Sequence, residues 1–142
     1  MLDRDDIPRF RELGVIASMQ PTHATSDMRW AEARVGKERV KGAYAWRTML
    51  DSGAPLAFGS DAPVESEKPA WGLYAAVTRQ DHAGEPAAGW LPSERLDVAQ
   101  AIRAFSAGAA FAVAHEAELG VLKPGYTLDL SAFDKDPRND PK

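Results

Sequence analysis

Apolar and polar positions follow two rhythms along this chain. Helical spacing covers 6–13, 27–35, 40–50 and 69–80, while compact apolar runs fill 15–19 and 55–58. Each helical stretch has its own punctuation. Asp6 is an N-cap candidate with Pro8 in the first turn and Gly14 as the stop. Asp27 is placed to cap the second stretch, which Gly36 ends, and Gly53 ends the third. The run Val15-Ile16-Ala17-Ser18-Met19 leads to Gln20-Pro21-Thr22-His23, and the 55–58 run leads to Gly59-Ser60-Asp61. Helix then strand, twice, with short links, predicts an α/β fold with a parallel sheet.

Beyond Val64 the pattern changes. A helix over 69–80 places Trp71, Tyr74, Ala75 and Thr78 on one side, and a polar Gly/Pro-containing loop covers 81–89. Asp97 with Gln100 three residues on forms a capping box ahead of Ala101, Ile102 and Phe105. An Ala-rich second helix is expected over 106–114, a turn at Lys123-Pro124-Gly125, and an alternating strand over 127–133. Residues 134–142 read as a frayed polar tail. No internal repeat is present.

A length of 142 residues is enough to bury a core, and 44% hydrophobic with 27% charged residues is ordinary for a globular domain. A net charge of −4 gives no basic footprint for nucleic acid. The absence of cysteine excludes disulfides and thiolate metal sites. No apolar run reaches membrane-spanning length and the start is acidic, so no membrane partner is expected and the default location is cytoplasmic.

Chemistry concentrates after the second apolar run. In parallel α/β folds the C-terminal ends of strands hold the reacting groups, and Asp61 follows such an end. It is the first candidate for a metal ligand or general base. The plainer alternative is that Asp61 only caps the next element.

At this point Gly14-Val15-Ile16-Ala17-Ser18-Met19-Gln20-Pro21-Thr22-His23, Gly59-Ser60-Asp61-Ala62-Pro63-Val64 and Ala76-Val77-Thr78-Arg79-Gln80 carry a resemblance. In that order they are similar to the metal-dependent amidohydrolase superfamily, and more narrowly to its N-substituted formamide deformylase and D-aminoacylase-like branch. The ending, Gly120-Val121-Leu122-Lys123-Pro124-Gly125 with Asp129-Leu130, fits as well. The resemblance implies the C-terminal part of a (β/α)₈ barrel, with its last two strands and following helices over 1–118. It also implies a return strand of a small β-domain, with the polar tail, over 119–142.

Family members hold one or two divalent ions, usually zinc, through a His-x-His pair, a bridging carboxylate or carboxylated lysine, two further histidines and a last-strand Asp. Only that Asp maps here, as Asp61, in the double role of metal ligand and proton shuttle. The histidines are His23, His82 and His115, and no His-x-His occurs. The resemblance makes His23 a substrate-side group and Arg79 an anchor for a substrate carboxylate. The plainer alternatives are a loop histidine satisfied by backbone, and an Arg79 ion pair with Asp81 or Glu85. His82 and His115 are expected at the surface or a C-cap, and Trp30, Trp46, Trp71 and Trp90 in the core or a lid.

Two functions are open on these grounds. One is part of a metal-dependent hydrolase acting on C–N bonds other than peptide bonds, on small amide, formamide or N-acyl substrates. The other is a non-catalytic remnant or oligomerisation module of the same fold. A single carboxylate does not hold zinc stably, so the chain alone is expected to lack activity. Open strand edges lead to an expectation of self-association or of pairing with a complementary N-terminal segment. An unrelated flavodoxin-like domain is disfavoured because no phosphate-binding glycine loop appears.

Overall fold

A computed structural model describes residues 1–137. A 3-10 turn at Arg4–Asp6 opens into α1 (Ile7–Glu12), followed by β1 (Ala17–Met19) and α2 (Pro21–Asp27). Next come α3 (Ala31–Arg39), a 3-10 turn (Val40–Gly42), α4 (Trp46–Asp51) and β2 (Leu56–Phe58). The second half holds α5 (Pro69–Thr78), a 3-10 turn (Pro92–Glu94), α6 (Val98–Arg103), a π segment (Ala104–Gly108) and α7 (Ala109–Ala112).

The two strands pair in parallel, with Ala17 opposite Leu56, Ser18 opposite Ala57 and Met19 opposite Phe58. All of β2 is buried, as a strand covered on both faces must be. The π segment and α7 lie directly on β2. Gly108 makes that approach possible, since a Cβ there would sit 2.2 Å from the Leu56 carbonyl oxygen. Phe105 of the π segment stacks edge-on against Phe58 at 5.3 Å, and Phe58 against Trp46 at 5.8 Å. Gly72 of α5 clears the same ring, because its Cβ would meet Phe105 at 2.5 Å. This aromatic stack, with Ile7, Met49 and Leu56, is the main core.

Several expectations from the sequence are met. The Asp97–Gln100 capping box forms in both directions, at 2.8 and 3.1 Å. Gly36 leaves helical geometry at φ 81° and Trp46 is fully buried. Others need correction. Asp27 does not cap α3; it closes α2, and its side chain accepts a hydrogen bond from Tyr44. The helix over 40–50 is broken at 43–45, because Tyr44 adopts φ 53°. The helices over 97–114 run together through the π segment rather than stopping between.

No strand forms over 127–133 among the described residues. Leu128, Leu130 and Phe133 are exposed there. An alternating pattern makes a strand only when a neighbour supplies the ladder, and no described segment does. The return strand of a small β-domain is therefore not seen. The tail over 134–142 lies partly outside the described residues.

The packing of the π segment and α7 on β2 yields a stability contrast. Gly108→Ala is expected to cost about 2 kcal/mol, because the opposing atom is backbone and cannot swing aside. Gly59→Ala, with open space around the added methyl, is expected to change stability by less than about 0.5 kcal/mol. Urea denaturation of both variants checks this; equal losses would contradict the packing.

Candidate active site at the strand ends

Parallel pairing in register sends both strands out of the same edge of the sheet. Met19 and Phe58 are opposite each other, and the Gly59 N–H donates to the Met19 carbonyl at 3.2 Å, which extends the pairing by one step. His23 lies four residues past Met19, in the first turn of α2. Asp61 lies three residues past Phe58. The two side chains meet above the strand ends, with His23 Nε2 3.2 Å from Asp61 Oδ2. The separation suits an ion pair, yet the geometry makes no hydrogen bond, and Nε2 is a buried polar atom without a hydrogen-bond partner.

Asp61 sits at φ 60°. Asp tolerates this left-handed conformation better than most residues. Its carbonyl accepts from the Val64 N–H at 2.8 Å and the Glu65 N–H at 3.3 Å, so the backbone turns tightly beneath the carboxylate. The side chain is about half exposed, while the His23 ring is mostly covered. Sequence reasoning put His23 at a strand end, and the structure moves it one helical turn further while keeping it on the rim.

Arg79 is in a different place from that expected. Its side chain is fully buried, with the guanidinium 4.2 Å from the Trp46 ring centroid and 5.1 Å from that of Trp90. Nε donates to the Trp90 carbonyl at 2.7 Å and Nη1 to the Tyr44 carbonyl at 2.9 Å. Burial lowers its pKa to about 10, with the nearby Glu94 carboxylate opposing that shift. A substrate carboxylate has no open path to this group in the chain as described. The alternative ion pair also fails to form: Asp81 pairs with Arg29 at 3.3 Å and organises its own loop through the Ala83 and Glu85 N–H groups. The physical reason is the αL turn at Arg79, which ends α5 and turns the side chain inward between two indoles. Arg79 is a core residue here, not a rim anchor.

Further groups escaped the sequence reading. Glu94 is buried and accepts from the Thr48 N–H at 3.0 Å and hydroxyl at 2.5 Å, placing a carboxylate at the N-terminal turn of α4. Ser26 donates to Glu65 at 2.7 Å, tying α2 to the loop that follows Asp61. Tyr44 reaches across to Asp27. None of these pairs has a fixed spacing along the chain, so only the folded arrangement reveals them. His82 stacks on Trp71 and His115 pairs with Glu118, neither near the His23–Asp61 pair in its contacts.

As a metal centre the pair is chemically apt but short of donors. A carboxylate oxygen and an unpartnered imidazole nitrogen both suit a divalent ion. Among the described residues, however, no group of three or more His, Asp or Glu side chains could hold one.

The chain matches the profile of the amidohydrolase family over residues 1–140. The chain belongs to the amidohydrolase family. It is 34% identical to the Bacillus subtilis (strain 168) protein YtcJ over 137 residues, which covers 96% of this chain and 26% of that protein. It is 32% identical to N-substituted formamide deformylase of Arthrobacter pascens over 91 residues, covering 64% of this chain and 16% of the enzyme. A solved structure of an uncharacterized metal-dependent hydrolase from Pyrococcus furiosus superposes with a TM-score of 0.80 at 33% identity. That match covers 97% of this chain and 27% of the other. A second such hydrolase, from Pyrococcus horikoshii OT3, gives 0.81 at 30% identity, with 97% and 28% covered. This amidohydrolase chain thus spans about a quarter or less of the length of the curated relatives it matches.

Two outcomes are expected for this chain. Arg79→Lys is expected to lower stability by about 2 kcal/mol or more, since an ammonium cannot serve both carbonyls from between two rings. Urea unfolding monitored by Trp fluorescence reads it, and an unchanged midpoint would contradict the clamp. The second concerns Asp81, whose backbone bond from Glu85 leads in holding its pKa below the usual 3.8. A depressed folded value means the contribution is complete above the ordinary carboxylate range and is lost as pH falls through the lowered value. The Ala83 and Glu85 amide-proton signals in NMR are expected to hold position down to about pH 4 and to shift below it.

Proposed function

We propose that this segment supplies the last-strand carboxylate of a metal-dependent hydrolase acting on C–N bonds other than peptide bonds, in small amide, formamide or N-acyl substrates. The reading that best accommodates two parallel strands packed against helices is the C-terminal part of a (β/α)₈ barrel. The observation that supports it is the meeting of Asp61 and His23 at the C-terminal strand ends, where barrel enzymes hold their chemistry. It gains support from metal-dependent hydrolases of similar fold and from a relative that acts on N-substituted formamides.

Asp61 would be one holder of a divalent ion, for which zinc is the expected choice. The remaining donors would come from polypeptide beyond these residues. When bound, the ion lowers the pKa of a water molecule and polarises the substrate carbonyl. Asp61 would do two things from one place: help to hold the cation and take the proton of the attacking water. It returns that proton to the departing amine nitrogen, so no net charge accumulates on the enzyme. His23, on the facing wall, donates to the carbonyl oxygen as negative charge develops there. The αL turn at Asp61 keeps the carboxylate at the rim rather than folded back onto its own backbone.

Reading the coding DNA upstream of Met1 provides the first test, because the proposal expects an in-frame His-x-His and two later histidines. In the protein made from that longer frame, Asp61→Asn is expected to lower kcat on formamide or N-acyl amine substrates by about 10²–10⁴-fold, the range for loss of a general acid–base group. Retained activity in that variant would refute the assignment. An in-frame stop with its own promoter before Met1 would instead favour the non-catalytic module.

A further inference from the structure

We propose that Tyr44 and Asp27 are positioning residues for His23, with Arg79 as the core clamp that holds Tyr44 in place. The inference rests on the reading that His23 and Asp61 face the reacting centre, and it assigns the device that sets their approach.

His23 and Asp27 are four residues apart on α2, so they share one face of a helix only two turns long. Rotation of so short a helix about its axis swings both side chains together. Its tie from Ser26 to Glu65, and that from Arg29 just beyond its end to Asp81, are exposed and hold weakly. The tie on the His23 face is different. The Tyr44 hydroxyl donates to Asp27 Oδ2 in a partly buried contact. Burial first, then the Asp27 hydrogen bond and charge, keep the phenol well above its ordinary pKa, so it stays protonated and remains a donor.

Tyr44 is itself held from two sides. Its backbone is in the left-handed region at φ 53°, a strained conformation for a bulky residue that persists only where its surroundings fix it. Arg79 Nη1 binds its carbonyl at 2.9 Å, and its ring lies 5.9 Å from that of Trp90. Trp90 in turn accepts from Arg79 Nε and donates its own N–H to the Arg79 carbonyl at 2.8 Å. A continuous path thus runs from the buried guanidinium through Tyr44 and Asp27 to the rotation of α2. At its end, His23 Nε2 stands 3.2 Å from Asp61 Oδ2 with no other partner.

The test uses the 142-residue chain with isotope-labelled histidine, observed by NMR at one fixed pH. His23, His82 and His115 are separate probes, and the latter two lie outside the path. His23→Gln identifies the His23 signal by its loss, and Asp61→Asn shows how far that signal moves when its neighbour changes. Tyr44→Phe removes only the hydroxyl and is expected to move the His23 signal by a comparable amount, with His82 and His115 unmoved. Asp27→Asn keeps an acceptor oxygen and is expected to leave His23 near its original position, whereas Asp27→Leu moves it. If Tyr44→Phe and Asp27→Leu leave His23 in place while Asp61→Asn displaces it, positioning is refuted and the His23–Asp61 pair stands. If Asp61→Asn leaves His23 unmoved, the pair itself is refuted and the proposed site falls with it. Joint movement of all three histidines would mark a global effect and also overturn the assignment.

Discussion

A guanidinium held between two indole rings is the constraint on which this chain depends. Arg79 is fully buried, which is tolerable for a cation only when its surroundings replace water. Two carbonyls and two ring faces do so, and Glu94 adds a negative charge nearby. One amino group, Nη2, remains without a hydrogen-bond partner. The carbonyls come from Tyr44 and Trp90, which lie far apart in sequence. One side chain therefore fixes the break between α3 and α4 and the end of the 81–89 loop at once.

From that centre the other contacts build outward in order. The break at Tyr44 lets α4 begin at Trp46, whose indole completes the Arg79 sandwich and touches Phe58. Phe58 is the last residue of β2 and the partner of Met19 in β1. The strand ends then place Asp61 and His23 within 3.2 Å of each other. Core packing and candidate chemistry are thus connected through a few aromatic contacts, rather than lying in separate layers of the molecule.

Much of this was legible in the sequence where the determinants are local. The capping box at Asp97, the left-handed break at Gly36, the strand through Phe58 and the acid just after it all depend on neighbours within four residues. The illegible part depends on distant partners. Asp27 has the residue type of an N-cap, and only Tyr44, seventeen residues on, makes it the acceptor that ends α2. Arg79 has the residue type of a substrate anchor, and its inward turn is decided by indoles at positions 46 and 90. The alternating stretch over 127–133 has the pattern of a strand, but a pattern cannot provide the second strand it needs.

The π segment at Ala104–Gly108 has a consequence for how this region can change length. Each residue turns a regular helix by about 100°, so a widened turn absorbs an extra residue without rotating the helix beyond it. Phe105 and Gly108, three residues apart, both face β2. Trimming the segment back to regular helix would swing the downstream stretch through roughly a quarter of a turn. The small face that now rests on Leu56 would then point elsewhere. The helix pair is thereby locked to its present residue count.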